Sequence, residues 1–527
     1  MGSAEERYIR LREDCFLAKG ARNCALYDMK AGRVYQVRGL VQDILKLGIR
    51  GLTTEAIISR LGLRPEEGER CLQFLQVMSE GGLLRFSPVK LDQTLPVKGS
   101  AAGLQFMWLE LTSYCNLRCI HCYAGAEDRQ QSDGLSTGEW KDLIREGAAL
   151  GCRRLQFTGG EATLRDDLFE LVECARTENY EFIEIFSNLT TLNRTTARQI
   201  TEAGAHVATS IYSYRAKTHD LITRKTGSFY RTVQGIRLLL KHKVPVRVAI
   251  IVLKQNEEDV DRTIRFVEDL GVEPPMIGTD VVRPTGRGRD KTLLPERYSS
   301  TRCPDFCVGD LSQNRCWPGK ITVTSQGEVI PCIFARNLVV GKYRQGRLSP
   351  IVNGEELQKL WRITLDEVEV CRDCEYRYAC WDCRAIAYTA TGNLYAKSPR
   401  CTYDPYTGRW IDESEGGEEI SAMGIEHPDK PLKRGDLVFR ELEGEGILFD
   451  PKTGSMHSLT KTALLIWNLC DGRHSLKQIA DHILERFEAE PDQVRGDVKE
   501  TVGRFQQLGL LQGSVATSAE PERQKGT

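Results

Sequence analysis

Cys115-Asn116-Leu117-Arg118-Cys119-Ile120-His121-Cys122-Tyr123 is the stretch on which the reading of this chain turns. Three thiols in the order Cys-x3-Cys-x2-Cys sit on a short loop directly behind an apolar, strand-like run over 106–111. In parallel β/α folds the reacting groups collect at the carboxyl ends of the strands, so this loop has the position of an active site as well as its composition. Three thiolates hold three irons of a [4Fe–4S] cube and leave the fourth iron open to a further ligand. Zinc is the competing metal, but a structural zinc site wants four ligands and tight Cys-x2-Cys pairs. His121, inside the loop, is read as solvent-facing rather than as a ligand.

Working outward, strand-like runs over 106–111, 154–157, 182–187, 206–212, 246–253 and 275–282 alternate with amphipathic stretches over 138–150, 166–177, 226–243 and 257–270. Six β/α units in series predict an α/β fold with a parallel sheet and right-handed crossovers. Periodicity alone leaves open whether that sheet is flat or curled into a barrel. Residues 285–310, rich in Gly, Pro and Arg, read as a connector, and the acidic run Asp412–Glu419 reads as a linker. The polar tail after Gly513 is expected to be disordered.

The whole chain has 527 residues, enough for three or four domains. A formal net charge of −1 supplies no global field toward nucleic acid or an anionic membrane, and neither partner is expected. The N-terminus has no apolar signal core, and no apolar run approaches a bilayer's thickness, so the expected compartment is the cytoplasm. Eighteen cysteines then call for another explanation than disulfides, and their clustering points to metal or redox chemistry. Cys15, Cys24, Cys71, Cys152, Cys174 and Cys470 are scattered and read as small buried hydrophobes.

The three-cysteine loop with Tyr123 behind it resembles the signature of the radical S-adenosylmethionine (SAM) superfamily. The resemblance implies a partial (β/α)6 barrel over 104–290, a [4Fe–4S] cluster on Cys115, Cys119 and Cys122, and SAM chelated at the open iron. Reductive cleavage of SAM then gives a 5′-deoxyadenosyl radical that abstracts hydrogen from an unactivated position. Thr158-Gly159-Gly160-Glu161 follows the second strand, where glycines allow close backbone approach and a carboxylate receives the cofactor's ammonium. Ser187-Asn188 and Ser210 end the third and fourth strands, where polar contacts to SAM are expected. Singly these are ordinary turns and strand serines; in order behind the loop they reinforce one another. Ala162 stands where the family usually has proline.

A second cysteine field comprises Cys316, Cys332, Cys371, Cys374, Cys380, Cys383 and Cys401, with Cys303 and Cys307 just upstream. On spacing alone zinc and iron–sulfur are equally served. In this context the array resembles the SPASM extension, which implies two auxiliary [4Fe–4S] clusters within 291–411. Carried over by position, Cys316, Cys332, Cys383 and one of Cys303 or Cys307 bind the first, and Cys371, Cys374, Cys380 and Cys401 the second. Two residues rather than the commoner three separate Cys380 and Cys383. If neither Cys303 nor Cys307 ligates, the first auxiliary cluster keeps an open iron.

The two ends of the chain resemble each other. Leu26-Tyr27-Asp28-Met29-Lys30-Ala31-Gly32 and Leu448-Phe449-Asp450-Pro451-Lys452-Thr453-Gly454 each read as a hairpin followed by helical patterns, and both copies close on Gly-Leu-Leu, at 82–84 and 509–511. The repeated unit resembles the PqqD-like domain, a winged-helix-like α+β module that recognises precursor peptides. The C-terminal copy, 434–513, is the closer match; the copy at 22–86 is more degenerate. In such modules a leader peptide adds an edge strand to the hairpin sheet. A DNA-binding winged helix is excluded by Asp481, Glu485, Glu488 and Glu490, which leave no basic recognition face. Residues 1–21 are read as an extension, 87–103 and 412–433 as linkers, and 514–527 as tail.

Together the resemblances imply a radical SAM/SPASM maturase of ribosomally made peptides, forming a thioether or carbon–carbon crosslink and fed by a one-electron donor such as flavodoxin or ferredoxin. Two alternatives use the same parts: oxidation of a protein side chain or maturation of a tetrapyrrole, and a zinc-containing, non-catalytic peptide scaffold. No residue of the sequence stands out as the general base.

Overall fold

The computed structural model describes residues 7–90, 103–127, 134–296, 316–344, 347–410, 430–442, 445–450, 455–487 and 489–512. Cys303, Cys307, the acidic run Asp412–Glu419, the hairpin turn 451–454 and the tail lie outside them. The chain divides into two compact units, one containing both end modules and the other the central region.

The first module runs β1 (Tyr8–Leu11), β2 (Cys15–Lys19), β3 (Cys24–Asp28), β4 (Arg33–Val37), α1 (Gly39–Ile49), α2 (Thr54–Arg60), α3 (Pro65–Glu80) and β5 (Leu84–Ser87). Strands β2, β3 and β4 form an antiparallel sheet, and every residue of the central strand β3 is buried. Strand β2 lies within 1–21, the stretch read from the sequence as an extension ahead of the module. Thr53 caps α2 by accepting from Ala56 N at 3.2 Å, and Pro65 opens α3, where its missing N–H costs nothing.

In the central unit β6 (Phe106–Glu110), α4 (Thr137–Ala149), β7 (Arg154–Thr158), α5 (Leu168–Thr177), β8 (Phe182–Phe186), α6 (Arg194–Glu202), β9 (His206–Ser210), α7 (Ala216–Thr223), α8 (Ser228–Lys241), β10 (Val246–Val252), α9 (Val260–Asp269) and β11 (Ile277–Val281) follow one another. Strands β6 to β11 lie side by side in chain order, all parallel, as the alternating pattern predicts. The sheet does not close: β11 is an edge, and the far side of β6 pairs with β12 (Lys320–Val323), in register from Lys320↔Phe106 to Val323↔Leu109. This is a partial (β/α)6 barrel.

β13 (Glu328–Ile330) and β14 (Gly341–Lys342) continue the same sheet antiparallel, followed by α10 (Leu348–Val352), α11 (Glu355–Arg362), α12 (Arg384–Thr391), β15 (Tyr403–Asp404) and β16 (Arg409–Trp410). One hydrophobic core serves barrel and extension together, with Trp140 and Phe157 in the same cluster as Trp317 and Trp361.

The last module contains β17 (Val438–Leu442), β18 (Glu445–Asp450), β19 (Ser455–Leu459), α13 (Lys461–Leu469), α14 (Leu476–Leu484) and α15 (Pro491–Gln507). It repeats the first module down to single side chains. Arg12 pairs with Asp14 and Asp28 and donates to Gly82 O at 2.6 Å. Arg434 pairs with Asp436 at 3.0 Å and Asp450 at 2.9 Å and donates to Gly509 O at 2.8 Å. Arg12 N donates to Leu83 O, and Arg434 N to Leu510 O, each at 3.0 Å. Thr53 and Ser475 cap equivalent helices, and Pro65 and Pro491 open equivalent ones.

Candidate functional site

The loop after β6 is held from three sides. Cys115 N donates to Glu127 O at 2.9 Å, Arg118 N and Ile120 N reach the carbonyls of Thr223 and Ile222 at the end of α7, and Arg287 N donates to Cys122 O at 2.9 Å. Arg287 also donates from Nε to Cys119 O at 2.8 Å and from Nη1 to Ala126 O at 2.9 Å. Part of the stretch read as a connector is therefore folded onto the cysteine loop. Burial pushes the Cys115 thiol up to about 11 and the Cys119 thiol higher still, and the neighbouring cysteines add to both shifts. Thiols held this way give up their protons to a metal rather than to water.

Cys115, Cys119 and Cys122 line a cavity of about 450 Å³ at the carboxyl ends of the barrel strands. Gly159 and Gly160 form part of its wall. Gly159 has φ +135°, and a Cβ on Gly160 would stand 2.1 Å from Tyr114 O, so only glycine lets this turn lie against the cysteine loop. Asn188 and Ser210 line the same cavity, and Asn188 Nδ2 lies 3.8 Å from Cys115 Sγ and 2.8 Å from Asn116 Oδ1.

Glu161 and Ser187 are placed differently. Neither lines the cavity; both are buried behind it. Glu161 accepts from Asn188 N at 2.7 Å and from Thr163 Oγ1 at 2.6 Å, and Ser187 Oγ accepts from Leu189 N at 3.0 Å. Burial pushes the Glu161 carboxyl up, against its hydrogen bonds to Thr163, Asn188 and Ser187. Its carboxylate thus fixes the Asn188 turn from behind.

His121 corrects the sequence reading. Instead of facing solvent it lines the cavity, edge-on to Tyr212 with ring centroids 4.8 Å apart. Burial, with the nearby Arg287 charge, draws its pKa down to about 4, so the ring stays neutral. Arg287 and His219 join it in the site without any local signal in the sequence. Arg287 Nη2, His121 Nδ1 and His219 Nε2 are buried with no hydrogen-bond partner among the described residues, and all three side chains line the cavity. Thiol donors on one wall, a glycine cradle beside them and unpaired polar atoms facing the same space fit an iron–sulfur cluster with a polar cofactor on it.

The second cysteine field separates into two groups. Cys316 hydrogen-bonds Cys383 and lies beside Cys332. The Cys383 thiol is drawn down, first by that hydrogen bond and, against burial, by the Arg283 guanidinium. Cys371, Cys374, Cys380 and Cys401 are gathered separately; burial pushes Cys371 up to about 12 and Cys374 and Cys380 well above the usual thiol range, and the proximity of the other thiols adds to it. Among the scattered cysteines, Cys15, Cys24, Cys71, Cys152 and Cys470 are buried and Cys174 partly so. No helix among the described residues is long and apolar enough to cross a membrane.

Comparison with known proteins bears on each part. Residues 109–267 match the radical SAM superfamily, residues 316–375 the SPASM iron–sulfur cluster-binding domain, and residues 445–511 the coenzyme PQQ synthesis protein D (PqqD) family. The chain is 27% identical over 344 residues to an AdoMet-dependent heme synthase of Methanosarcina barkeri, covering 56% of this chain and 95% of that protein. It is 28% identical over 330 residues to a PqqA peptide cyclase of Gluconobacter oxydans, covering 57% of this chain and 91% of that protein. Streptococcus suis SuiB bound to its precursor peptide SuiA superposes with a TM-score of 0.46 at 14% identity, covering 75% of this chain and 98% of that one. Radical SAM, SPASM and PqqD domains thus stand in a single polypeptide, and the chain is a radical SAM/SPASM enzyme.

Proposed function

We propose that this enzyme cleaves SAM reductively and oxidises a residue of a ribosomally made precursor peptide, closing a thioether or carbon–carbon crosslink. The observation that carries the reading is a PqqD domain in the same chain as a cysteine-lined barrel cavity. When bound, a [4Fe–4S] cluster and SAM supply a 5′-deoxyadenosyl radical. Cys115, Cys119 and Cys122 hold that cluster, and Gly159, Gly160, Asn188 and Ser210 form the SAM-facing wall, with Glu161 and Ser187 bracing it from behind. Tyr212, Phe334 and Trp108 give the cavity an apolar part beside its polar groups.

In this reading Cys316, Cys332 and Cys383, with Cys303 or Cys307, hold one auxiliary [4Fe–4S] cluster, and Cys371, Cys374, Cys380 and Cys401 the other. A PqqD-like module, 434–513 or its repeat at 22–86, holds the leader by strand addition. A flavodoxin or ferredoxin of the cytoplasm delivers the starting electron. Anaerobically reconstituted enzyme, given SAM, dithionite and a co-encoded peptide, should yield 5′-deoxyadenosine and a peptide lighter by two hydrogens per crosslink. Formation of 5′-deoxyadenosine with a peptide that is never altered defeats the substrate half.

The 27% identity to a heme synthase, beside 28% to the peptide cyclase, favours a tetrapyrrole as the second substrate class. The same assay with an iron tetrapyrrole in place of the peptide separates the two by the absorbance of the product.

A further inference from the structure

Arg283 stands between the two cysteine fields. It lies just past β11, the last barrel strand, and lines the cavity that holds Cys115, Cys119 and Cys122. Its Nη1 is 3.0 Å from Cys383 Sγ, in the second field. Its Nε and Nη2 donate to Asp280 Oδ2 at 2.9 and 2.6 Å, and its guanidinium carbon sits 4.4 Å from the centre of the Phe334 ring. Asp280 and Phe334 line the cavity too. A planar fork gripped by a carboxylate on one edge, a ring on its face and a sulfur at its tip has no freedom to swing away. Its position is fixed by groups of the cavity, and its charge is directed at a thiol beyond it.

We infer that Arg283 is a positioning residue that sets the reduction potential of the auxiliary cluster nearest the substrate cavity. The inference rests on the reading in which Cys383 binds a cluster. A reduced cluster carries one more negative charge than its oxidised form, and hydrogen bonds and cations at the ligand sulfurs favour the reduced form. The donation from Nη1 to Cys383 Sγ biases this cluster toward taking an electron. The substrate radical left by hydrogen abstraction gives one electron to that cluster and a proton to solvent as its new bond closes, and the cluster is reduced by one electron. Asp280, on the other edge of the same guanidinium, opposes the bias and tunes it.

The test uses the full chain with Cys115, Cys119 and Cys122 all replaced by alanine, so that only auxiliary clusters remain, reconstituted and titrated potentiometrically with EPR detection. Arg283→Gln should move the oxidised-to-reduced ratio of one cluster about tenfold toward oxidised, a fall in midpoint of about 59 mV for one electron. Arg283→Lys, which keeps the charge, should fall less. Asp280→Asn should shift the midpoint the other way, and a purely structural role does not produce shifts of opposite sign. Unmoved midpoints, or two shifts of the same sign, overturn the inference. If Arg283→Gln fails to assemble its cluster, Asp280→Asn decides alone: a raised midpoint supports the inference and an unchanged one overturns it. Iron analysis of Cys383→Ala in the same background separates the two levels, since undiminished iron defeats the ligand assignment itself.

Discussion

Arg336 Nη1 donates to both carboxylate oxygens of Glu110, at 2.7 and 2.5 Å, and so ties the SPASM extension to the end of the strand that carries the cysteine loop. Glu110 is 3% exposed, and burial pushes its carboxyl up against the Arg336 charge. Removing one member of such a pair leaves a buried charge alone, at a cost of about 3–5 kcal/mol. Arg336→Met should therefore lower the denaturation midpoint of the apo-protein sharply. Adding Glu110→Leu in the same chain should recover most of the loss. A double variant as unstable as the single one would show that the pair is not the cause.

Cys115→Ala should remove about four irons per chain and abolish 5′-deoxyadenosine formation, because three thiolates are the minimum that holds the cube. Iron and sulfide analysis beside a SAM cleavage assay checks both. Full iron retention in this variant contradicts the cluster assignment.

Gly160→Ala places a methyl group 2.1 Å from Tyr114 O, a backbone atom of the cysteine loop, so loop and turn must part. Overpacking of this kind costs about 1–3 kcal/mol, which predicts a roughly tenfold or greater loss of SAM cleavage. Gly138→Ala, in α4, is the control: its nearest contact would be 4.0 Å away, and cleavage should not change.

His219 gives the apo-protein a pH dependence of known sign. Buried beneath Tyr212, from whose N–H its Nδ1 accepts at 3.4 Å, it has a pKa lowered by burial from 6.5 to about 4. The unfolded chain takes up this proton first, so between pH 6.5 and about 4 stability falls as the pH falls, by up to about 3 kcal/mol. His121 titrates in the same direction. His219→Gln should therefore lessen the slope of denaturation midpoint against pH in this window, and an unchanged slope would assign it elsewhere.

The parts of this site legible in the sequence are those whose signal is local. Cys-x3-Cys-x2-Cys, the Gly159-Gly160 turn and the order of the β/α units are written in spacing, and the cavity has them side by side. Arg283, Arg287, His219 and Tyr212 are not written that way. Tyr212 and His219 reach the cavity from beyond β9, Arg283 and Arg287 from beyond β11, and only the curl of the sheet makes them neighbours of the cysteine loop after β6. His121 was misplaced for the same reason, since the ring that covers it, Tyr212, belongs to another β/α unit. The end-to-end repeat was visible in its hairpin and Gly-Leu-Leu elements. Its Arg–Asp clasp was not, because Arg12-x-Asp14 and Arg434-x-Asp436 are unremarkable until Asp28 and Asp450 close on them.

The ladder between β6 and β12 has a consequence for timing. Because Lys320 to Val323 are bonded in register to Phe106 to Leu109, the strand that launches the cysteine loop and the first strand of the extension belong to one continuous sheet. β6 therefore gains its neighbour on that side only when residues 320–323 reach it, after the strands β7 to β11 that precede them in the chain, and a pairing between segments so far apart in sequence forms slowly.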